Sequence, residues 1–130
     1  FAVDLNEKKP YGLNEGLSRD SDVTELEEML AYEKPYLLTG GPPCEAFSIL
    51  QALSKDKRPE EDTARRLELG RRHLHTAVRI YRRQYEEGRL FLHEHPGGAT
   101  SWDDPEVVAL RGLQGVFTVS GPMCTWGMEV

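Results

Sequence analysis

The sequence predicts an α/β domain with a mainly parallel sheet, and three observations support this prediction. Short apolar runs alternate along the chain with longer segments of helical period, as in parallel sheets whose strands are connected by helices. Each apolar run leads into a loop rich in glycine or proline, which continues neither a strand nor a helix. The longest helical segment joins two of the runs, and such a strand–helix–strand unit makes its strands parallel. We therefore expect a Rossmann-like three-layer partial domain.

The individual elements follow from local signals. Strands are predicted at residues 35–39, 89–94 and 116–119, and helices at about residues 23–31, 45–54, 63–87 and 105–112. The long helix contains no proline, and Gly88 can end it. Asp104 before Pro105 is typical of a helix start, because aspartate accepts a free backbone N–H and proline lacks one.

Length and composition exclude several classes of protein. A chain of 130 residues corresponds to one domain, and its net charge of −6 argues against a general nucleic-acid binder without excluding a local basic face. No apolar stretch is long enough to span a bilayer. The two cysteines, Cys44 and Cys124, have neither a metal-ligand spacing nor a disulfide pattern. We therefore expect an intracellular, reducing compartment.

Cys44 is the first candidate for chemistry. It follows the sequence Gly-Gly-Pro-Pro at residues 40–43, which predicts a stiff, sharply turned loop after a buried strand. The predicted helix 45–54 begins directly after it, and free N–H groups at a helix N-terminus favour the thiolate that acts as a nucleophile. The alternative is that Cys44 is a small buried apolar residue.

Glu94 is the second candidate, because it follows the apolar residues 90–92 of the second predicted strand. In open parallel sheets, ligands bind outside the carboxyl ends of the strands. We therefore expect Cys44 and Glu94 to lie at the same edge of the sheet. Burial in a crevice there would help Glu94 to hold a proton.

The long helix carries a basic stripe opposite its apolar face. Its four arginines are seven, seven and four residues apart, which keeps them on one side of the helix: Arg65, Arg72, Arg79 and Arg83. Such a stripe could bind phosphates of DNA. The alternative is a solvated helix surface that nearby glutamates neutralise.

Two of these segments resemble motifs of the DNA cytosine-5 methyltransferases. Residues 40–48, Gly-Gly-Pro-Pro-Cys-Glu-Ala-Phe-Ser, resemble the nucleophile motif Gly-Pro-Pro-Cys-Gln-x-Phe-Ser. Residues 92–96, Leu-His-Glu-His-Pro, fall where that family has Glu-Asn-Val or Glu-Asn-Pro. The resemblance covers about residues 1–96 in order. Residues 93–102 and 123–127 also resemble methyltransferase-type modules of some retroelement polyproteins.

The resemblance implies a reaction and its participants. Cys44 would add to carbon 6 of cytosine, Glu94 would contact ring nitrogen 3, and S-adenosylmethionine would supply the methyl group. The target base would have to leave the DNA stack to reach these groups, and the protein would work in the nucleus. By the same resemblance, Asp4, Asp22 and Pro42 would bind the cofactor, and Ser48 would join the arginine stripe in binding DNA. At Asp4 a solvent-facing strand end is the alternative.

The sequence also departs from that family. Glu45 replaces the glutamine after the cysteine and disfavours a neighbouring thiolate, and His95 replaces the asparagine. The cofactor motif Phe-x-Gly-x-Gly has no counterpart. We therefore expect residues 1–130 to form a single methyltransferase-like domain that lacks the first cofactor-binding strand and loop.

Three functions remain open at this stage. The chain is a catalytic fragment that works with additional sequence, or an inactive methyltransferase-like domain that serves as a structural or binding subunit of a protein assembly. The third is a metal site built from His93 and His95, which face the same way on a strand, with His73 or His75. Because no third ligand is apparent, we predict no metal.

Overall fold

The computed structural model describes residues 20–42, 45–47 and 60–122. These residues form three helices and two strands: α1 Asp20–Glu33, β1 Leu37–Gly40, α2 Glu60–Glu86, β2 Leu90–His93 and α3 Pro105–Arg111. Short 3-10 turns, Glu45–Phe47 and Thr100–Asp103, follow the first and the second strand. The chain is thus of mixed helix and strand, with α2 connecting the two strands.

The two strands form a small parallel sheet, which agrees with the predicted α/β class. The register pairs Leu37 with Leu90 at one end and Gly40 with His93 at the other. The N–H of Glu94 continues the ladder by donating to the carbonyl of Gly40 at 3.0 Å. The strands lie within two residues of the predicted 35–39 and 89–94. Parallel pairing puts both carboxyl ends at one edge of the sheet.

The prediction of a third strand at residues 116–119 is wrong. This segment forms no ladder, and Phe117 and Val119 are 87% and 78% exposed. Its β-branched and aromatic residues are typical of a strand, but pairing depends on contacts far away in the sequence. The segment instead stays beside the end of α3, where Arg111 Nε donates to the Thr118 hydroxyl at 3.1 Å.

Helix α2 has the ends that its sequence indicates, although it starts three residues before the predicted residue 63. Three acidic residues in its first turn, residues 60–62, favour the positive end of the helix dipole. At the other end Gly88 adopts a φ of 75°, which an L residue rarely adopts. The N–H of Arg89 donates to the carbonyl of Gln84 at 2.9 Å and that of Gly88 to Tyr85 at 3.0 Å. This pair of bonds is the Schellman motif that ends many helices.

Helix α3 begins as predicted, with Asp104 accepting the N–H of Glu106 at 2.9 Å and Pro105 in the first turn. Helix α1 is longer than the predicted 23–31. It ends where Lys34 adopts a φ of 46° ahead of Pro35, since a residue before proline avoids the helical region. Of the predicted helix 45–54, residues 45–47 form a 3-10 turn, and the rest lies outside the described residues.

A single apolar cluster lies between α2, the sheet and α3. Its buried members are Phe47, Leu74, Val78, Tyr81, Ala99, Val107 and Leu110. Leu38 and Phe91 reach it from the inner face of the sheet. On the outer face Leu37, Leu90 and Leu92 are 50%, 49% and 58% exposed. The described helices therefore cover one face of this sheet, because successive side chains of a strand point to opposite faces.

Gln84 connects α2 to the beginning of both strands. Its side chain is 2% exposed. Its amide Nε2 donates to the carbonyls of Pro35 at 2.8 Å and Leu90 at 3.0 Å, and its Oε1 accepts from Arg89 at 3.0 Å. These bonds satisfy polar groups that would otherwise be costly to bury. None of the described helices combines the length and the apolar character that crossing a membrane requires.

Candidate functional site at the carboxyl ends of the strands

The loop after β1 and the loop after β2 meet at the edge of the sheet where both strands end. A methyl group added to Gly41 would lie 3.4 Å from Oε2 of Glu94, so the carboxylate is packed against the first loop. The ladder bond from Glu94 to Gly40 holds the two chains together at this point. Cys44 lies outside the described residues, so its distance from Glu94 stays a prediction. What the structure brings together is Glu94 and the loop that leads to Cys44.

Glu94 is exposed, whereas the sequence led us to expect a carboxylate in a closed crevice. The alternation along the strand explains this difference. Leu90 and Leu92 belong to the outer face of the sheet, and two residues further on Glu94 follows them to that side. The described residues leave that face uncovered. The carboxylate is therefore accessible to a ligand that approaches the outer face.

His95 points the other way and is buried, with 8% of its surface exposed. Its Nε2 lies 2.8 Å from the carbonyl oxygen of Pro42, and its Nδ1 lies 2.6 Å from the hydroxyl of Ser101. One ring thus connects the loop after β1, the end of β2 and the second 3-10 turn. With both ring nitrogens engaged, His95 has no lone pair available for a metal ion in this arrangement.

His93 lies on the inner face of the sheet between aromatic rings. Its Nδ1 is 3.2 Å from the Tyr81 hydroxyl, while its buried Nε2 has no hydrogen-bond partner among the described residues. Its ring centroid is 4.9 Å from that of His95 and 5.6 Å from that of Trp102. Burial, with a smaller contribution from His95, lowers the pKa of His93 to about 4. At neutral pH His93 is therefore uncharged.

We expect this buried histidine to make the protein less stable in mild acid. The unfolded chain protonates His93 below its ordinary value of 6.5, whereas the folded chain does so only near pH 4. The free energy of unfolding is therefore unaffected above pH 6.5 and falls as the pH decreases from 6.5 to 4. Allowing for the partial exposure of the ring, the loss is about 1–2 kcal/mol.

Urea unfolding at pH 7.5, 6.0 and 5.0 measures this effect. We compare the wild type with His93→Gln, which does not titrate in this range. As the pH decreases from 7.5 to 5.0, the free energy of unfolding should fall more for the wild type than for His93→Gln. Parallel pH profiles for the two proteins would contradict this role of His93.

The other predicted cofactor and DNA residues are partly described. Pro42 is buried, and its carbonyl is bonded to His95. Asp22 lies in the first turn of α1. Asp4 and Ser48 lie outside the described residues, as Cys44 does. The cofactor role of these residues, and the contact of Ser48 with DNA, stay predictions.

The four arginines of the basic stripe each lie within 4 Å of a carboxylate. The pairs are Arg65 with Asp62 at 3.7 Å, Arg72 with Asp20 at 3.8 Å, Arg79 with Glu27 at 3.0 Å and Arg83 with Glu87 at 3.3 Å. Two of the pairs join α2 to α1, whose acids have the same seven-residue spacing. A polar groove of about 630 Å³ between these helices is lined by three arginines and three acids. These charges balance, so the surface has less attraction for phosphates than the arginines alone suggest.

No group of three or more His, Cys, Asp or Glu side chains within the described ranges is arranged to hold a metal ion. Of the two other predicted contributors, His73 is buried on α2, and His75 is bonded through Nε2 to Asp104 at 2.9 Å. Its partner is the carboxylate that caps α3. His75, His93 and His95 therefore serve three separate contacts in this part of the chain.

Two residues of the site were not found from the sequence. Ser101 is 1% exposed and bonded to His95, but a lone serine in a loop carries no signal of such a partner. Tyr81 lies on the predicted apolar face of the long helix, and that pattern indicates burial rather than contact with Gly40 and His93. Both contacts depend on tertiary packing.

Comparisons with known proteins add no evidence about the function. No protein-family model matches the sequence, and neither the curated proteins nor the solved structures searched contain a match.

Proposed function

We propose that this chain carries the nucleophile and the acid of a DNA cytosine-5 methyltransferase-like domain. The observation that supports the proposal best is that the Glu94 carboxylate lies beside Gly41, three residues before Cys44. Because the two loops follow paired parallel strands, a thiol and an acid far apart in sequence would be presented to one ligand. Parts of the two motifs that resemble the family, the described residues 40–42 and 92–96, lie at this edge.

The chemistry requires these two groups. A thiolate adds to carbon 6 of the cytosine ring, and an acid at ring nitrogen 3 takes up the charge that develops there. Carbon 5 then becomes nucleophilic as part of an enamine. Without a methyl donor, carbon 5 takes a proton from solvent. Loss of the original proton from carbon 5 and departure of the thiolate from carbon 6 then restore the aromatic ring.

A role for S-adenosylmethionine rests on the resemblance alone. Pro42 is buried with its carbonyl bonded to His95, and the sequence has no Phe-x-Gly-x-Gly motif. The exchange of the carbon 5 proton needs no such cofactor. Methyl transfer would require additional sequence to bind it, and nuclear DNA would be the substrate.

The finer fold that accompanies this proposal is a Rossmann-like three-layer domain. Two features favour it. Two ion pairs join α1 to α2, which is the helix that packs on the inner face of the sheet. The leucines of the outer face are half exposed, and a second helical layer would bury them as parallel sheets require.

The proposal is tested by exchange of the cytosine carbon 5 proton, which needs the thiol but no cofactor. We would incubate the purified chain with a single-stranded cytosine-containing oligonucleotide in D₂O and follow loss of the carbon 5 proton signal by NMR. Wild type should catalyse exchange, Cys44→Ala should abolish it, and Glu94→Gln should slow it by about 10²–10⁴-fold, as removal of a general acid does.

The second cysteine offers the matched control, because Cys124→Ala removes a thiol that the proposal does not use. This variant should exchange at the wild-type rate. Exchange that persists in Cys44→Ala, or no exchange with folded wild type on any cytosine substrate, would overturn the proposal.

One observation favours a second function, an inactive methyltransferase-like domain that binds within a protein assembly. The arginine stripe is paired with carboxylates, and the described residues leave the apolar outer face of the sheet open. Such a surface is more typical of a protein interface than of a DNA contact. In that case Cys44→Ala would alter neither folding nor binding, and no exchange would occur.

A further inference from the structure

His95 sits at the centre of a short hydrogen-bonded chain whose proton positions are determined by chemistry. A carbonyl oxygen only accepts, so the proton on the Nε2 side must belong to the ring, and Nε2 donates to Pro42. In the neutral ring Nδ1 then has a lone pair and accepts from the Ser101 hydroxyl. Ser101 is 1% exposed and His95 is 8% exposed. Both bonds are therefore shielded from water, which makes their loss costly.

His95 directly follows Glu94 in the chain, so its hydrogen bonds lie next to the proposed acid. Glu94 and His95 are consecutive, and they point to opposite sides of the sheet edge. Glu94 offers its carboxylate to the outer side, while His95 holds the backbone of the other loop from within. One dipeptide thus supplies both the acid and the anchor of the loop that carries the nucleophile.

We propose that His95 is a positioning residue that holds the Pro42 carbonyl and so sets the backbone leading to Cys44 relative to Glu94. This inference rests on the proposed function as far as catalysis is concerned. The bond fixes a main-chain atom two residues before the thiol. A displacement of the order of 1 Å between reacting groups costs about 10²-fold in rate.

Substitutions of His95 can distinguish its bond to Pro42 from its bond to Ser101. The amide nitrogen of glutamine reaches about as far as Nε2 of histidine, so His95→Gln keeps a donor for Pro42. Asparagine, the residue of the resembling motif at this position, is shorter by one methylene and should reach Ser101 but not Pro42. His95→Ala removes both bonds.

Deuterium uptake of the loop peptide 39–47, measured by mass spectrometry, reports the anchor without reference to activity. His95→Ala and His95→Asn should take up deuterium faster in this peptide than wild type, and His95→Gln should behave as wild type. A peptide from the middle of α2, residues 70–80, should be unchanged in all variants, which shows that the domain stays folded. Equal uptake in wild type and alanine variant, or a glutamine variant that behaves as alanine, would overturn the anchor.

The exchange assay at cytosine carbon 5 reports the catalytic consequence. We expect His95→Ala to lower kcat by about 10²-fold with little change in the KM for the oligonucleotide, and His95→Gln to restore most of the loss. Unchanged kcat in a variant whose loop is loosened would overturn the positioning role alone. Absence of exchange in wild type would overturn the proposed function and the catalytic role, while the uptake experiment still decides whether His95 anchors the loop.

Discussion

Gly40→Ala should strongly destabilise the protein, because a neighbouring side chain leaves no room for the added methyl group. A methyl group at this position would overlap the Tyr81 hydroxyl and lie 2.9 Å from the ring atom Cζ, closer than real side-chain contacts come. Tyr81 is 2% exposed and its ring stacks on Phe91 with centroids 5.1 Å apart, so it has little room to move. We expect a loss of about 3 kcal/mol or more, at the upper end for overpacking of a core.

Urea unfolding measures this loss, and two variants make the result specific. Gly97→Ala is the matched control, because its methyl group would meet only the Ser120 hydroxyl at an ordinary 3.8 Å. In the double variant Gly40→Ala/Tyr81→Phe the hydroxyl that overlaps the new methyl group is absent. This variant should therefore lose less stability than the sum of the two single variants. If Gly40→Ala is as stable as Gly97→Ala, the close packing of Tyr81 on β1 is incorrect.

Leu74→Ala should have the second-largest effect, because Leu74 is 1% exposed at the centre of the apolar cluster. Truncation leaves a cavity between α2 and α3 that neighbouring side chains fill only in part. The expected cost is about 2–5 kcal/mol. For a domain of this size that is a large fraction of a total stability of about 5–15 kcal/mol.

Leu69→Ala is the control on the same helix, since Leu69 is 44% exposed. The two variants make the same chemical change and the same small gain in helix propensity. The midpoint of urea unfolding should drop strongly for Leu74→Ala and shift little for Leu69→Ala. Similar midpoints for the two variants would mean that α2 does not bury the face that contains Leu74.

Local signals explain which parts of the fold the sequence predicts correctly. The end of α2 at Gly88 and the start of α3 at Asp104 and Pro105 depend on backbone groups a few residues away, so those residues alone indicate them. The segment 116–119 has an equally good local pattern, yet a strand exists only where another strand accepts it. Here Arg111 holds Thr118 beside the helix end instead. Strand pairing is a property of the whole fold, which a short pattern does not contain.

The site divides in the same way. That Glu94 meets the loop before Cys44 could be predicted, because parallel strands place their carboxyl ends together. The exposure of Glu94 could not, since it depends on whether anything covers the outer face of the sheet. The bond of His95 to Pro42 and Ser101 joins three segments that are distant in sequence, and the type of residue at position 95 does not name its partners. The resemblance to a family motif did not indicate these partners either, because His95 replaces the residue of that motif.

The pairing of β1 with β2 has a consequence for how the chain acquires its shape during synthesis. Leu37 and Leu90 are neighbours in the ladder but about 50 residues apart along the chain, so closing this loop carries an entropic cost. A four-residue strand does not persist alone in water. During synthesis, β1 therefore has no strand to pair with until β2 has left the ribosome. Helix α2, whose contacts are local, forms in the meantime and brings the two ends together.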